Sequence, residues 1–510
     1  MRSSPLRLVA QLLRSLDDAD ALARNEIVAP IFSAREHDSA FTTIRKAVFE
    51  SIEALERRVR AGTQDAIHRQ RQYEIVVRYE IGGAAMSDVL EALSIEKSQF
   101  YRERTAALTY LARALRRWVE AVAAVQSTRL TGEEEYRIAT VLQRTGNAAL
   151  AERVLEKVLC AQSDASQKCI SLVRLAELNI DMADASRASM YLNAAAQLMD
   201  RATPAHAVLA CEHEIVRAQL AWACGRTDEA QTALACSIPE AQNLLGQHFA
   251  RAKLVLAKAL AASASLEYHV GTMERCQQFV SMGRNLIGAA DEQTADLLAE
   301  LLTTQTSIHT SREPTLEDAL NVDRTLLELA RAHGLVRKIA VGIKDLAVIN
   351  HYQGNLPVAL LYGDEAVALS SAVCGTKERA VATFQWAHIR AERERGRTLD
   401  DVFDVVSGVR RQLPPQGYWW AYSYAIESYI RLAESRVPQA LEAAAEALAT
   451  FAAVKSRRGV GIAKTLHAQA LHALGDRTQA RTYANEALQL LETAPQSCWL
   501  SHARKQLLIA

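Results

Sequence analysis

At 510 residues the chain exceeds what one compact core holds, so several units or an elongated array are expected. Ten prolines and 21 glycines are few for that length, and abundant alanine, leucine, arginine and glutamate make the composition helical. The 59 basic and 59 acidic residues cancel, which excludes an overall field drawing the protein to nucleic acid or anionic lipid.

Met1 to Leu16 is amphipathic and carries arginines, as a transit peptide does, but Asp17, Asp18 and Asp20 follow at once and argue against one. Helices are predicted over Leu6–Leu16 and Ala19–Arg24. Pro30 breaks the pattern before a long helix from Ala40 to Arg60, whose apolar positions Ile44, Val48, Ile52, Leu55 and Val59 recur at three or four residues. Residues 1–63 thus form an N-terminal helical segment.

Residues 64–128 read as a second unit. A helix from Arg69 to Tyr79 ends at Gly82-Gly83, and a short one follows from Met86 to Leu93. After the break Ser94-Ile95-Glu96, a further helix starts at Lys97 or Ser98 and runs to about Gln126 along Leu108, Leu111, Leu115, Trp118 and Val122. Ile95 is placed to tuck under both helices of the turn, and Leu90, Leu93 and Phe100 to pack them together. Opposite Phe100 lie Ser98, Arg102 and Thr105, flanked by Gln99 and Tyr101. Hydroxyl, amide, phenol and guanidinium groups are the chemistry that reads base edges and phosphates in a major groove. Lys97 to Arg117 carries six basic residues against one acidic, so phosphate-facing charge is local.

Two helices joined by so tight a turn resemble a helix-turn-helix of the sigma-factor region 4 type. Leu93-Ser94-Ile95-Glu96 and Ser98-Gln99-Phe100-Tyr101-Arg102 carry that resemblance, over about 50 residues. The chain departs from the common pattern at Leu90, where a small residue is usual, and at Ser94, where glycine is. Ser15 to Val28 resembles a leader segment of such bacterial regulators, from which no activity follows. The resemblance implies DNA contacts by Lys97, Ser98, Gln99, Tyr101, Arg102, Arg104 and Thr105, with Arg69 and Arg71 on phosphates. The alternative is one more hairpin of an all-helical protein.

From Glu133 onward short turn signals recur every 37 to 46 residues. They stand at Gly146-Asn147, Ala183-Asp184, Gly225-Arg226, Val270-Gly271, Glu313-Pro314, Gly354-Asn355, Gly396-Arg397, Ser435-Arg436 and Gly475-Asp476. Alanines follow each at helical spacing, clearest in Leu471 to Ala480, with Ala484 and Ala487, and in Gln219 to Ala230. The pattern resembles the tetratricopeptide repeat over about 375 residues, with a period longer than the usual one of about 34. Residues 129–510 are therefore expected to stack as a tetratricopeptide-like α-α superhelical solenoid with a concave inner surface, closed by a capping helix from Trp499 to Leu508. The fold class is all-α.

Within the array, Gly417 to Tyr424 is dense in aromatics that suit either a ligand groove or repeat packing. On register, Asn350, Tyr352, Gln385, Trp386 and Arg390, with Trp419 and Tyr422, are placed on first helices lining the concave surface, where they would hold a peptide, protein or small effector. Catalytic patterns are missing. Gly459-Val-Gly461 lacks a preceding strand and a third glycine, so it is no phosphate loop. The four neighbours Cys211, Glu212, His213 and Glu214 point in different directions on a helix, and His467 and His472, five apart, sit on neighbouring but not identical faces. No enzyme activity, cofactor or metal is expected. The eight cysteines form no C-x-x-C pair and read as buried free thiols in a reducing compartment, and no apolar run approaches 18 residues. The expectation is a cytoplasmic, homodimeric, sequence-specific DNA-binding regulator with an effector-sensing array. The runner-up is a repeat adaptor that binds protein and makes no use of DNA.

Overall fold

Alanine, leucine, arginine and glutamate lose least on entering a helix, and the described residues follow that preference. The computed structural model describes residues 5–16, 18–29, 31, 44–45, 47–48, 51–52, 64–81, 84–127, 138–143, 147–162, 164–199, 204–246, 251–291, 293–311, 316–493 and 497–509. No strand occurs among them, and the chain divides into two units, Met1–Glu134 and Glu135–Ala510.

The first unit contains α1 (Pro5–Arg14), α2 (Ala19–Ala23), α3 (Gln64–Ile75), α4 (Met86–Leu93) and α5 (Lys97–Ser127). α1 and α5 share one apolar core, in which Leu12, Leu13, Ile44, Val48, Ile52, Leu108, Leu111 and Leu115 are buried. The rest of the helix predicted over 40–60 lies outside the described residues, as do Gly82-Gly83 and the side chains of Trp118 and Val122. The helix expected from Arg69 begins earlier, at Gln64, and widens into a π-type coil at Val76–Ile81. That coil carries Glu80 into the interior, where Arg14 at 3.0 Å and Arg104 both pair with it. Between α4 and α5 Ser94 takes the left-handed conformation (φ 50°, ψ 50°). Glycine would adopt it freely; serine accepts a penalty of about 1 kcal/mol. Ile95 is buried under the turn with Val89, Phe100 and Ile75, and Leu90 and Leu93 pack at the rim. Val89, not Leu90, is the inward residue of α4, which leaves Leu90 room despite its size.

The second unit is an array of helical hairpins. The first joins residues 138–143 to α6 (Ala148–Ala161). Then come α7 (Ala165–Asp181) with α8 (Ala185–Leu198), α9 (Pro204–Ala223) with α10 (Thr227–Gly246), and α11 (Ala252–Val270) with α12 (Met273–Ile287). The fifth pairs α13 (Ala295–Thr310) with α14 (Leu316–Ala332), the sixth α15 (Val336–Tyr352) with α16 (Leu356–Val373), and the seventh α17 (Thr376–Arg393) with α18 (Asp400–Arg410). The last two pair α19 (Tyr418–Ala433) with α20 (Val437–Ala453) and α21 (Arg457–Ala473) with α22 (Arg477–Thr493). α23 (Ser497–Ile509) covers the end, with Trp499 and Ala503 buried and Arg504 and Lys505 outward. Among the described residues this gives nine hairpins at the places of the nine turn signals, of which Gly146 in the first and Glu313-Pro314 in the fifth lie outside the described residues. The fold is that of a tetratricopeptide-like all-α solenoid.

Local chemistry explains the bends. Gly225, Gly354, Gly396 and Gly475 hold φ between 78° and 88°, while Ala183 and Ser435 are forced to 62°. Asp184, Thr272, Ser456 and Asp476 accept a backbone N–H three residues on and start the next helices. Gly459 and Gly461, the pair that lacked a phosphate-loop context, let α21 approach its neighbours. A Cβ at 459 would strike Phe451, and one at 461 would lie 2.8 Å from Leu491.

Two expectations change. α16 is 18 residues long with mean hydropathy 1.3, enough in length and composition to cross a membrane, although Asp364 and Glu365 interrupt it. It packs between α15 and α17, burying Ala359, Gly363, Ala366 and Leu369. The seven described cysteines are free, and among them only Cys169, Cys211 and Cys276 are buried; Cys160 and Cys236 are exposed, because they fall on outward helix positions. Burial pushes the thiols of Cys211 and Cys276 up to about 12.

The array closes on itself. Thr376 Oγ1 in the seventh hairpin donates to Met182 O after α7 in the second (3.1 Å). Thr227 in the third donates to Val454 O at the end of the eighth (2.8 Å), and Ser456 before the ninth donates to His269 O in the fourth (2.7 Å). Hairpins five apart therefore touch, and the inner face expected to be a concave surface becomes a ringed lumen that stays open to solvent.

Candidate ligand lumen and polar helix face

The lumen is lined by first helices of successive hairpins, because their neighbours in the hairpins take the outer layer. It comprises two connecting clefts, of about 1200 Å³ and 2030 Å³ of atom-free space, that share Glu300, Lys338, Lys377, Glu378, Tyr418 and Trp419. Its walls carry seven acidic residues (Glu177, Asp181, Glu212, Asp296, Glu300, Asp345, Glu378) and seven basic ones (Arg174, Lys258, Arg337, Lys338, Lys344, Lys377, Arg458). Equal numbers of both signs suit a ligand with donors, acceptors and little net charge, and disfavour a polyanion.

Most of these charges answer one another. Lys258 bridges Glu177 and Glu212, and Arg251 reaches Glu212 at 2.9 Å. Although burial opposes ionisation, Lys258, Arg174 and Arg251 hold the Glu212 carboxyl down at about 2. Lys338 pairs with Glu300, whose carboxyl it keeps near 2. Others are answered only in part. Lys377 makes no close ion pair among the described residues, although its charge favours the ionised forms of Asp181, Glu300 and Glu378. Arg458 leaves Nε and Nη1 idle while stacking 3.8 Å over the Tyr268 ring, and Trp419 leaves Nε1 idle. Glu378 Oε2 and Asp345 Oδ2 are idle acceptors.

Of the effector residues proposed from register, Tyr352, Gln385, Trp419 and Tyr422 line this lumen. Asn350, Trp386 and Arg390 do not. Asn350 turns its amide back to Leu346 O (2.8 Å), and Trp386 donates to Asp364 on α16 (2.7 Å) with Arg390 stacked 5.4 Å from its ring. Their helix angle points them toward the second helices instead of inward. The aromatic run serves both purposes proposed for it, since Tyr418 is packed against Trp222, His269 and Phe451 while Trp419 faces the cleft. Lys377 and Arg458 were not legible as site residues; only the closure of the array brings them beside Trp419. Cys211 and Glu212 turn away as expected, to Ser237 O and Lys258, but His213 and Glu214 meet: His213 Nε2 faces Leu192 O while its Nδ1 lies 3.3 Å from Oε1 of Glu214, a carboxylate that Arg217 also pairs.

In the first unit Lys97, Ser98, Tyr101, Arg102 and Thr105 are exposed and Gln99 is half-buried. The polar stripe continues through Thr109, Arg113 and Arg116 along the same side of α5. Arg104 leaves this face, because its place in the helix turns it to buried Glu80 and the ring of Tyr79. Arg71 is half-buried on α3, and the side chain of Arg69 lies outside the described residues.

No protein-family model and no curated protein matches the chain. Among solved structures, a Rap protein complexed with the competence and sporulation factor is 14% identical at a TM-score of 0.49, covering 71% of this chain and 99% of its own. The apo quorum sensor NprR from B. thuringiensis is 13% identical at 0.43, covering 70% and 98%. Scc4 in complex with Scc2n is 9% identical at 0.43, covering 99% and 98%. All three superpose below a TM-score of 0.5, so the reading of the lumen rests on this chain's own side chains.

Proposed function

We propose that the protein is a DNA-binding regulator whose helical array takes a peptide, or a small ligand with peptide-like polar groups, into the lumen. The observation that carries the ligand is the pair of idle donors, Arg458 and Trp419, with Lys377 beside them, on a cleft that also offers idle carboxylate oxygens. Backbone carbonyls and a terminal carboxylate answer such donors, and amides answer such acceptors. The exposed hydroxyl and guanidinium set Ser98, Arg102 and Thr105 supports the DNA half of the reading. A ligand preferring one curvature of the array shifts its population, and the chain connection through α5 transmits that preference to the DNA reader. One such unit reads about half a site, so a homodimer on a two-fold operator is the working assembly.

The full chain is expected to bind particular genomic fragments, with affinity falling steeply between two salt concentrations. Arg102→Ala is expected to weaken specific binding by about 1–3 kcal/mol, and unchanged affinity removes Arg102 from the interface. In the lumen, short linear peptides selected from a random library are expected to change tryptophan fluorescence. Lys377→Ala should weaken them about tenfold, since a hydrogen bond to a charged group is lost; equal binding by the variant argues against the cleft.

Asp88, Glu91 and Glu96 are exposed beside the polar face and favour a second reading, an adaptor that binds protein there. Absence of DNA retardation at low salt, with a protein partner held by the array, decides for it.

A further inference from the structure

Four titratable side chains that the lumen does not use meet where the sixth and seventh hairpins reach the terminal helix. His351 stands in the last turn of α15, His388 and Glu392 stand one turn apart on α17, and His502 lies on α23. His351 Nε2 lies 2.6 Å from Glu392 Oε2, and the ligand atoms of His351, His388 and Glu392 are all within 4.8 Å of one another. The His388 ring is 1% exposed, stacked on Trp499 at 5.0 Å and edge-on to Tyr429 at 4.4 Å. Neither of its nitrogens has a hydrogen-bond partner, and His351 Nδ1 and His502 Nδ1 are likewise buried and idle. His502 stacks on Tyr429 at 5.9 Å, close enough to Glu392 and His351 to feel their charge.

A buried imidazole with two idle nitrogens costs free energy that packing alone does not return. Stacking on Trp499 accounts for the ring's place but would be served as well by phenylalanine. We propose that His351, His388 and Glu392 bind one zinc-class divalent cation, that His502 completes the set, and that the ion pins α23 to the array. Imidazole nitrogens with a single carboxylate select zinc, cobalt or nickel over magnesium and calcium, which take oxygen ligands. Bonds of about 2.0–2.1 Å in tetrahedral geometry put donors about 3.3 Å apart, so the close pair opens and the widest pair closes by side-chain rotation. The Glu392 side chain, 34% exposed, leaves the cation a way in. The sequence hid this site because its ligands come from three helices, and only His388 and Glu392 show a helical spacing.

The test uses the untagged full chain stripped of metal. Zn²⁺ is titrated by calorimetry and Co²⁺ by visible absorption. One equivalent of each, ligand-field bands of tetrahedral Co²⁺, and a raised unfolding midpoint with Zn²⁺ are expected, and Mg²⁺ should do nothing. His388→Phe keeps the stack on Trp499, so it should raise the midpoint of the metal-free protein while weakening Zn²⁺ at least tenfold. Glu392→Gln, at the exposed side, should weaken Zn²⁺ at least tenfold, as loss of a metal contact does, and leave the metal-free midpoint where it was. His333→Gln, outside the cluster, should bind as the parent does. Less than half an equivalent bound, or parental Zn²⁺ affinity in both cluster variants, overturns the site.

Discussion

Arg337→Met is expected to destabilise the second unit by about 2–4 kcal/mol and to loosen the closure of the array. Arg337 donates from one nitrogen to Asp181 at 2.7 Å and from the other to Glu378 at 2.5 Å, joining α15 to the end of α7 and the start of α17. Its side chain is 15% exposed, so water screens the pair weakly. Burial alone would pull the guanidinium down, but the Asp181 and Glu378 carboxylates outweigh it and keep it above its ordinary value. Methionine fills most of the volume and removes the one cation that bonds both carboxylates, leaving only the weaker pull of Lys377 and Lys338. The partial exposure of Asp181 is why the lower end of the range for a broken buried pair applies. Denaturant unfolding measures the loss, and hydrogen exchange at Met182 and Thr376 reports whether the seam opens. A variant as stable as the parent would show that the closure does not depend on this bridge.

The second large effect concerns acid. Asp323 on α14 is fully buried, neither carboxyl oxygen has a partner, and Asp345 of α15 stands beside it. Burial first, and the neighbouring carboxylate second, push the Asp323 carboxyl up to about 9. The unfolded chain releases this proton near the usual carboxylate value of about 4, whereas the folded chain keeps it to about 9. Stability from this group is therefore complete below about pH 4 and is lost as pH rises through that window. By neutral pH the loss is on the order of 4 kcal/mol. Asp323→Asn supplies the neutral form permanently. Its melting temperature should exceed the parent's at mildly alkaline pH, with a smaller drop between mildly acidic and alkaline buffers. Lys344, paired with Asp345, keeps some pH dependence in the variant. Parallel profiles for the two proteins would mean that Asp323 ionises normally.

How far the residues alone could be read follows from the range of the interactions involved. The nine bends were visible because a hairpin turn is local: a left-handed glycine such as Gly475, a capping Asp476, and alanines at 480, 484 and 487 all lie within a few turns of one another. The tight turn at Ser94-Ile95 and the outward set Ser98, Arg102 and Thr105 were legible for the same reason, since helical periodicity fixes which side faces away from Phe100. Arg104 was misjudged because the angle of one residue on that wheel depends on where Glu80 lies, and Glu80 enters the core only through the π-type coil at Val76–Ile81.

The sequence by itself determined an all-helical chain, its repeated hairpins and the places of its turns, because helix propensity, capping and small-residue spacing act over a few residues. Tertiary structure alone decided that the array closes five hairpins on, that Lys377 and Arg458 share a wall with Trp419, and that His351, His388 and Glu392 converge. Those outcomes depend on the small angle between successive hairpins. That angle is set by the shapes of packed side chains and accumulates over some 190 to 230 residues of separation, as between Met182 and Thr376 or Thr227 and Val454. No periodicity in the residues records an accumulated angle.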